Sequence, residues 1–375
     1  MGAVGINASI IGSNPTGLGI YAMRLVQHLD DLRDDLVVYS SVPEMLQCNR
    51  ARVVRIPPRT RPEYAMRGHL ARVFWTQTAL RRRLSRDRLT ALVNPLPEGV
   101  LLAGVPQVTV VHDLLPLRFP AEYPRQKHFF AWFVPLVLRE SRIVVADSQS
   151  TREDVIRQFR FPASKVRVIP AGGDESVFFP DGAAGPSGSD EPYCLYVGNL
   201  LPHKNLLVLL EALALLRRRA RCRLVIRGSG RSDYRRLLQA HIEALHLTEA
   251  VTFVNYMNGP LLRHLYQRAA CLVLPSLGEG FGLPVIEAMA CGTPVVVART
   301  TSLPEVAGDA ALQVDPHDPA ALAAAMHRIL SDHALRVDLR RRGLVRAAVF
   351  TSRRTAAQIS QAIDEVLIVR ELPMH

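Results

Sequence analysis

The most informative segment of the sequence is PSLGEGFGLPVIEAMACGTPVVV, which runs from Pro275 to Val297. A short apolar strand precedes it, a glycine-rich loop covers residues 276–283, and Pro284 suits the first turn of a helix that Gly292 ends. A helix that starts directly after such a loop leaves backbone N–H groups unbonded and carries about half a positive charge at its N-terminus. The stretch therefore predicts a site for an anion, most naturally a phosphate.

Two carboxylates flank the predicted anion site, Glu279 in the loop and Glu287 in the helix, eight positions apart. A carboxylate does not bind an anion, but it accepts hydrogen bonds from hydroxyl groups. A diphosphate that joins a ribose to a hexose has hydroxyl groups on both sides, so the pattern predicts a nucleotide-sugar site. The alternative is an ordinary strand, turn and helix in which Glu279 is a cap and Glu287 is solvated.

The same stretch resembles the E-x7-E signature of family 4 of the retaining glycosyltransferases, and the resemblance extends over nearly the whole chain. It implies an α/β protein with the GT-B fold, in which two Rossmann-like domains face each other across a cleft. It also implies that Glu279 holds the hexose hydroxyls and Glu287 the ribose. The loop and helix start that would face the donor phosphates comprise Gly280, Phe281, Gly282 and Leu283.

Length and composition place the domain boundary. A chain of 375 residues is long enough for two α/β domains, and residues 180–192 have the composition of a linker. We predict an N-terminal domain over residues 1–175, a linker over 176–192 and a second domain over 193–351. The resemblance implies that the first domain binds the acceptor, that the second binds the donor, and that a final helix over 352–372 packs back on the first.

A glycine-containing loop follows the first predicted strand, residues 3–11, and precedes a helix. By resemblance, Gly17 and Gly19 of this loop lie under the donor phosphates and beside the acceptor. Arg24, one turn into the helix, is an acceptor-side candidate. The structural alternative for the two glycines is a tight turn.

Polar residues end two later strands of the first domain. His112 and Asp113 follow an apolar strand, at the sheet edge where ligands bind in open α/β folds. The resemblance implies that His112 faces the reacting sugar and orients it, with Asp113 on the acceptor side. Ser148 is a further acceptor-side candidate, although capping of the next helix by Ser148 or Ser150 is the favoured interpretation.

A lysine stands at a helix start in the second domain, where its charge opposes the helix dipole. A bound diphosphate would remove this conflict, and by resemblance Lys204 is the phosphate-binding lysine. Many relatives carry an arginine beside the preceding glycine or this lysine, whereas this chain does not. The donor-side candidates here are Gly198, Asn199, His203 and Arg227.

Two further segments complete the predicted donor side. Gly228 and Gly230 form a close-approach turn after a strand. By resemblance, Tyr256 and Met257 line the nucleobase pocket.

The net charge of +12 is concentrated between Arg50 and Arg88, where twelve arginines accompany two acidic residues. Anionic lipid headgroups, a phosphorylated acceptor or nucleic acid could bind such a stretch. No nucleic-acid motif accompanies it, so we expect no nucleic-acid partner. Peripheral contact with an anionic membrane and a solvated helix face both stay open.

The remaining composition narrows the class of protein. No apolar run reaches membrane-spanning length and the start lacks the basic region of a signal peptide, so we expect a cytoplasmic protein. Five scattered cysteines suit a reducing compartment. Because no metal-ligand spacing and no Asp-x-Asp triplet is present, we expect neither a metal nor another cofactor.

By resemblance the reaction retains the anomeric configuration, and the helix start and Lys204 stabilise the departing diphosphate. The expected donor is of the UDP-glucose or GDP-mannose type, and the expected acceptor is a glycan or lipid-linked hydroxyl. Within the family, a sucrose-phosphate synthase that joins UDP-glucose to fructose 6-phosphate is the alternative. A nucleotide-sugar epimerase and a non-catalytic sugar-binding protein are the alternatives outside transferases.

Overall fold

The computed structural model describes residues 2–180, 191–255 and 257–371. These residues form two compact units, the first up to Ala171 together with the chain from Ser352 onwards, and the second from Gly172 to Thr351. The N–H of Gly173 donates to Phe350 O at 2.9 Å, which ties this segment to the second unit. The second unit thus begins before the predicted linker, 176–192, of which residues 181–190 lie outside the described residues.

The first unit contains a seven-stranded parallel sheet with the order β3-β2-β1-β4-β5-β6-β7. Its strands are β1 (Ala3–Asn7), β2 (Leu36–Ser40), β3 (Arg52–Arg55), β4 (Leu89–Asn94), β5 (Gln107–Val111), β6 (Ile143–Ala146) and β7 (Val166–Val168). Most of these strands are apolar runs because helices cover both faces of a parallel sheet. In the register of β5 and β6, Val111 lies opposite Ala146, so the residues that follow these two strands are neighbours.

The helices of this unit before the second sheet are α1 (Gly17–Leu32), α2 (Ala65–Trp75), α3 (Arg81–Arg86), α4 (Leu115–Arg118), α5 (Gln126–His128), α6 (Val134–Glu140) and α7 (Gln149–Phe159). A π-helical stretch, Thr76–Leu80, joins α2 to α3, and another, Phe129–Phe133, joins α5 to α6. Each set forms one continuous helix, which we call the 65–86 helix and the 126–140 helix.

The second unit contains a six-stranded parallel sheet with the order β10-β9-β8-β11-β12-β13. Its strands are β8 (Tyr193–Val197), β9 (Arg223–Arg227), β10 (Val251–Val254), β11 (Cys271–Leu274), β12 (Val295–Ala298) and β13 (Ala311–Val314). Its helices are α8 (Leu206–Arg217), α9 (Ser232–Ala244), α10 (Gly259–Arg268), α11 (Leu283–Ala290), α12 (Leu303–Ala307), α13 (Pro319–Ser331) and α14 (His333–Ala347). Because β8 and β11 are adjacent, the loops at their carboxyl ends are neighbours.

The last helix, α15 (Ser352–Glu371), belongs to the first unit, where it packs on α1. Ile359 and Ile363 of α15 are fully buried, and burial of such side chains contributes about 2 kcal/mol each. Arg33, at the end of α1, pairs with Asp364 at 2.5 Å. None of the described helices is both long enough and apolar enough to cross a bilayer.

Candidate functional site

The loops that follow β8 and β11 bring Lys204 and Glu279 together. The Lys204 Nζ atom lies 2.8 Å from each carboxylate oxygen of Glu279, and both side chains are only 12% exposed. The hydroxyl of Ser276 donates to the same carboxylate at 2.7 Å, and the Glu279 N–H donates to Thr301 Oγ1 at 2.9 Å. The lysine and the loop glutamate, which the sequence assigned to different parts of a ligand, thus form one ordered ion pair.

Asn205 fixes the two loops against each other. Its side-chain amide donates to Pro275 O at 3.1 Å and to Pro316 O at 2.7 Å, and its backbone has the left-handed φ of 62° that asparagine tolerates. Asn205 therefore places the neighbouring Lys204 beside the Pro275 loop. Sequence reasoning missed it, although an asparagine directly before a helix is a recognisable signal.

The glycine-rich loop is held in place at the start of α11. Gly282 adopts a φ of 99°, and the Ser302 hydroxyl lies 3.1 Å from both Glu279 O and Phe281 O. α11 begins at Leu283, so the positive end of its dipole follows directly on the loop that carries Glu279. Gly280 and Phe281 are buried within the loop. Ser302 and Thr301 follow β12, and their position at the carboxyl end of an apolar strand could have marked them.

Glu287 on α11 is partly buried and accepts a hydrogen bond from the hydroxyl of Tyr266 at 2.8 Å. Burial raises the pKa of this carboxyl to about 7, the Tyr266 bond and the charge of Arg227 oppose the rise, and the charge of Asp174 adds to it. The carboxyl is therefore poised between protonation states near neutral pH. The alternative interpretation, in which the Glu287 side chain is solvated, therefore does not hold.

The glycines after β9 have a structural explanation. A Cβ atom on Gly228 would lie 1.8 Å from Gly198 O, and one on Gly230 would lie 2.2 Å from Leu200 O. The backbones after β8 and β9 touch here, because Leu200 N donates to Ser229 O at 2.8 Å. Close backbone packing is thus a sufficient reason for both glycines.

The other donor-side candidates lie around this edge without forming one cluster. His203 is fully buried and accepts a hydrogen bond from Leu277 N at its carbonyl, whereas Asn199 is exposed. Arg227 is the last residue of β9. Met257 is partly buried before α10, and Tyr256 lies outside the described residues.

In the first unit, His112 lies directly after β5 beside Asp147, which follows β6. The Nδ1 atom of His112 is 2.6 Å from Asp147 Oδ2, and its Nε2 atom is 2.9 Å from Pro95 O. Both partners are acceptors, whereas a neutral imidazole has a single N–H, so the two bonds together require a doubly protonated ring. The geometry therefore holds His112 as a cation.

The pKa of His112 is raised, which agrees with this geometry. Burial lowers the pKa, and the charge and hydrogen bond of Asp147, the Pro95 carbonyl and the charge of Asp113 raise it by more. The ring of Tyr21 meets the imidazole edge-on, with centroids 4.6 Å apart. A sugar hydroxyl that bound either ring nitrogen would have to replace Asp147 or Pro95.

The remaining first-unit candidates have structural contacts. Ser148 is the N-cap of α7, since its hydroxyl accepts from Thr151 N at 3.0 Å. Asp113 accepts from Leu115 N at 3.0 Å, at the start of α4. Arg24 donates to Gln27 on the same helix. Ser148, and not Ser150, therefore caps α7, whereas the sequence had allowed either residue.

The two glycines at the start of α1 differ. A Cβ atom on Gly19 would lie 3.1 Å from Pro15, whereas a Cβ atom on Gly17 would meet nothing within 4 Å. Packing therefore explains Gly19 in part and does not explain Gly17. Among the residues that the structure describes, no group of His, Cys, Asp or Glu is arranged to hold a metal ion.

Two family models match the chain. Residues 15–177 match the model described as Glycosyltransferase Family 4, and residues 182–346 match the model described as Glycosyl transferases group 1. Together the two models cover most of both structural units.

Two bacterial relatives and one solved structure are also similar to the chain. O-antigen chain mannosyltransferase B of Escherichia coli is 32% identical over 253 residues, which is 65% of this chain and 66% of that protein. O-antigen chain mannosyltransferase RfbU of Salmonella typhimurium is 28% identical over 86% of this chain and 90% of that protein. A sucrose-phosphate synthase from Thermosynechococcus elongatus has a similar structure, with a TM-score of 0.78 and 21% identity over 98% of this chain and 100% of that one.

Proposed function

The chain belongs to the family 4, group 1 glycosyltransferases, and on that premise we propose that it transfers a hexose from a nucleotide-diphosphate sugar to a hydroxyl of a glycan or a lipid-linked acceptor. The α/β GT-B fold that the sequence predicted is confirmed by the two parallel sheets and the similar solved structures. The single observation that carries the proposal is the Lys204–Glu279 pair beside the start of α11.

Lys204 and the start of α11 would supply the positive charge that departure of a nucleoside diphosphate requires. The ammonium group of Lys204 has three protons, so it can hold Glu279 and still donate to a phosphate oxygen. The N-terminus of α11 adds fixed positive charge, and both are in position before the reaction. Lys204 and α11 would therefore stabilise the developing diphosphate, and Glu279 would hold hexose hydroxyls.

Glu287 is proposed to hold the ribose. With a pKa of about 7, its carboxyl can accept from one hydroxyl when ionised and donate to another when protonated. The Tyr266 hydroxyl fixes the orientation of the carboxyl group. Two glutamates on one loop and helix would then hold the two sugars of the donor, one on each side of the diphosphate.

Retention of configuration and independence from metal ions are part of the proposal. Lys204 and the start of α11 supply the positive charge for which some transferases use a divalent cation. We expect donor turnover to continue in excess EDTA. We also expect the anomeric proton coupling of the product in NMR to show the configuration of the donor, and an inverted product would contradict retention.

The two O-antigen mannosyltransferases favour a glycan or lipid-linked acceptor, whereas the D-inositol 3-phosphate glycosyltransferase of Acidothermus cellulolyticus, 31% identical over 66% of this chain, is named for a phosphorylated acceptor. Both mannosyltransferases act, by their names, on O-antigen chains, and they are more similar in sequence than the sucrose-phosphate synthase is. The synthase shares the fold at 21% identity, which does not identify an acceptor. The first experiment therefore includes fructose 6-phosphate as a separate arm.

The test is release of nucleoside diphosphate from UDP-glucose, GDP-mannose, UDP-N-acetylglucosamine and ADP-glucose, each with and without fructose 6-phosphate. We expect slow hydrolysis of one donor that fructose 6-phosphate does not change and that a glycan or lipid-linked acceptor accelerates. Release that depends on fructose 6-phosphate would instead identify a sucrose-phosphate synthase. Tight donor binding without any release would contradict transfer and indicate a sugar-binding protein.

A further inference from the structure

The 65–86 helix exposes an apolar patch between positive charges. Leu70 and Phe74 are 61% and 66% exposed, and the α-helical spacing places them on one stripe with Arg67, which lies one turn before Leu70. The opposite side of the helix is buried, with Trp75 and other residues in the core of the first unit. The exposed stripe therefore combines apolar side chains with Arg67, and exposed Arg81 and Arg82 follow the π-helical stretch on the same helix.

The structure divides the arginines between Arg50 and Arg88 into two groups. Some are used inside the unit, such as Arg72 with buried Glu98, and Arg83 with Asp87. The arginines whose side chains have no hydrogen-bond or ion-pair partner among the described residues are Arg59, Arg67, Arg81, Arg82, Arg86 and Arg88. The predicted basic surface is thus smaller than the sequence stretch, and it includes Arg67 on the apolar stripe and Arg81 and Arg82 further along the same helix.

The 126–140 helix presents a similar face beside it. Trp132 is 76% exposed, Leu136 lies one turn further on, and the two helices meet where the ring of Phe129 packs edge-on against His69, with centroids 4.7 Å apart. The cationic side chains on this helix and at its start that have no partner among the described residues are those of Arg125, Lys127 and Arg139. Exposed apolar side chains and positive charges thus occur on the same helix again.

We propose that the exposed faces of the 65–86 and 126–140 helices bind the surface of an anionic phospholipid bilayer. Indole and phenyl rings favour the depth of the lipid headgroups, and arginines beside them are attracted to anionic lipid. A second copy of the chain would bring like charges together if it used the same face, which disfavours self-association. The inference does not depend on the proposed transfer, since membrane binding is measured without any sugar.

The experiment uses vesicles of phosphatidylcholine with or without phosphatidylglycerol and the whole protein. The chain has two tryptophans, and Trp75 is buried, so a change in emission reports on Trp132. We expect a blue shift on addition of the anionic vesicles only, and no shift in the Trp132→Phe variant. Quenching by lipids labelled in the acyl chain should follow the same pattern.

Cosedimentation with the anionic vesicles separates the contribution of the apolar side chains from that of the arginines. We expect Leu70→Ser with Phe74→Ser, and separately Arg81→Ala with Arg82→Ala, each to weaken binding about tenfold. The matched controls change exposed residues of the second unit: Leu237→Ser for the apolar variant, and Arg218→Ala with Arg219→Ala for the arginine variant. We expect neither control to change vesicle binding. Circular dichroism on heating shows that each variant is folded.

Three results would overturn the proposal. Equal binding to neutral and anionic vesicles would remove the role of the arginines. Full binding by the Leu70→Ser, Phe74→Ser variant without any Trp132 shift would reduce the contact to charge alone. Dimerisation that this variant abolishes, in a protein that does not bind vesicles, would assign the face to a protein partner.

Discussion

The protonation state of His112 depends on the hydrogen bonds that its ring makes to Asp147 and Pro95. Because Nδ1 and Nε2 both face acceptors, the ring is held as an imidazolium with a raised pKa. A histidine with a raised pKa contributes stability that is complete below its ordinary pKa of 6.5 and is lost as pH rises through the folded pKa. We therefore expect the free energy of unfolding to fall as pH rises above about 6.5.

Asp147→Asn tests this pair. Loss of a charged partner from a buried ion pair should lower the free energy of unfolding by about 3 kcal/mol at pH 6 and flatten its dependence on pH above neutrality. Chemical denaturation across pH measures both effects, with Asp154→Asn as the control because Asp154 pairs at the surface with Arg157. A nitrogen NMR spectrum that shows a neutral His112 ring at pH 7 in the wild type would contradict the account.

Glu287 gives a dependence on pH in the same direction as His112, over a lower pH range. Its pKa of about 7 lies above the ordinary value of 4.5, so the folded state holds a proton that the unfolded state releases, and stability falls as pH rises between these values. Glu287→Gln keeps an acceptor for Tyr266 and removes the cost of ionisation. We expect this variant to be about 3 kcal/mol more stable than the wild type at pH 8 and equally stable at pH 4.

Glu287→Gln should weaken donor binding although it stabilises the fold. If Glu287 holds the ribose, Glu287→Gln weakens nucleotide-sugar binding while it stabilises the fold, as expected when a site residue is kept at a cost to stability. Exposed Glu243→Gln is the control and should change neither quantity. Equal stability of the wild type and Glu287→Gln at pH 8 would show that burial does not raise this pKa.

At the scale of secondary-structure elements, two glycines at helix starts make different predictions. Gly282, before α11, has a φ of 99°, and an added Cβ atom would lie 2.9 Å from Leu303. Gly282→Ala should lower the free energy of unfolding by about 1–2 kcal/mol.

Gly17→Ala at the start of α1 meets nothing within 4 Å, so thermal unfolding should be unchanged. A loss of turnover in a stable Gly17→Ala variant would show that a ligand approaches this backbone, and unchanged turnover would remove Gly17 from the site.

The elements also show what local sequence can predict. The proline and glycine that signalled a helix start at Pro284 and an end at Gly292 agree with α11, Leu283–Ala290, and Gly292 has the left-handed φ of 77° typical of a helix end. These signals act within one turn of the chain. The Ser148 cap was predictable for the same reason.

At the scale of the whole molecule, the contacts that matter join distant parts of the sequence. Lys204 and Glu279 are 75 positions apart and meet because β8 and β11 are adjacent in the sheet. His112 and Asp147 are 35 positions apart and meet through the register of β5 and β6. His112 was recognisable at the end of an apolar strand, Lys204 by its place at a helix start and Glu279 by its glycine-rich loop, whereas Asp147 was not predicted. No local pattern specified which strand ends would be neighbours.

Burial was the other property that local patterns did not provide. Glu287 occupies a helical position that suits solvent, but Tyr266 of α10 covers it. The charge count between Arg50 and Arg88 was correct as a sum, yet buried Glu98 and Asp87 bind some of these arginines and leave others exposed. Which charges face outward follows only from tertiary packing.

The most direct test of the central claim is the rate of nucleoside diphosphate release from the preferred donor by the wild type, Lys204→Ala and Glu279→Ala. Arg217→Ala is the matched control, because Arg217 and Glu191 form an exposed ion pair in the same unit. We expect at least about a hundredfold loss of turnover in both site variants, with normal folding, and none in the control. Wild-type turnover in folded Lys204→Ala and Glu279→Ala would contradict this expectation.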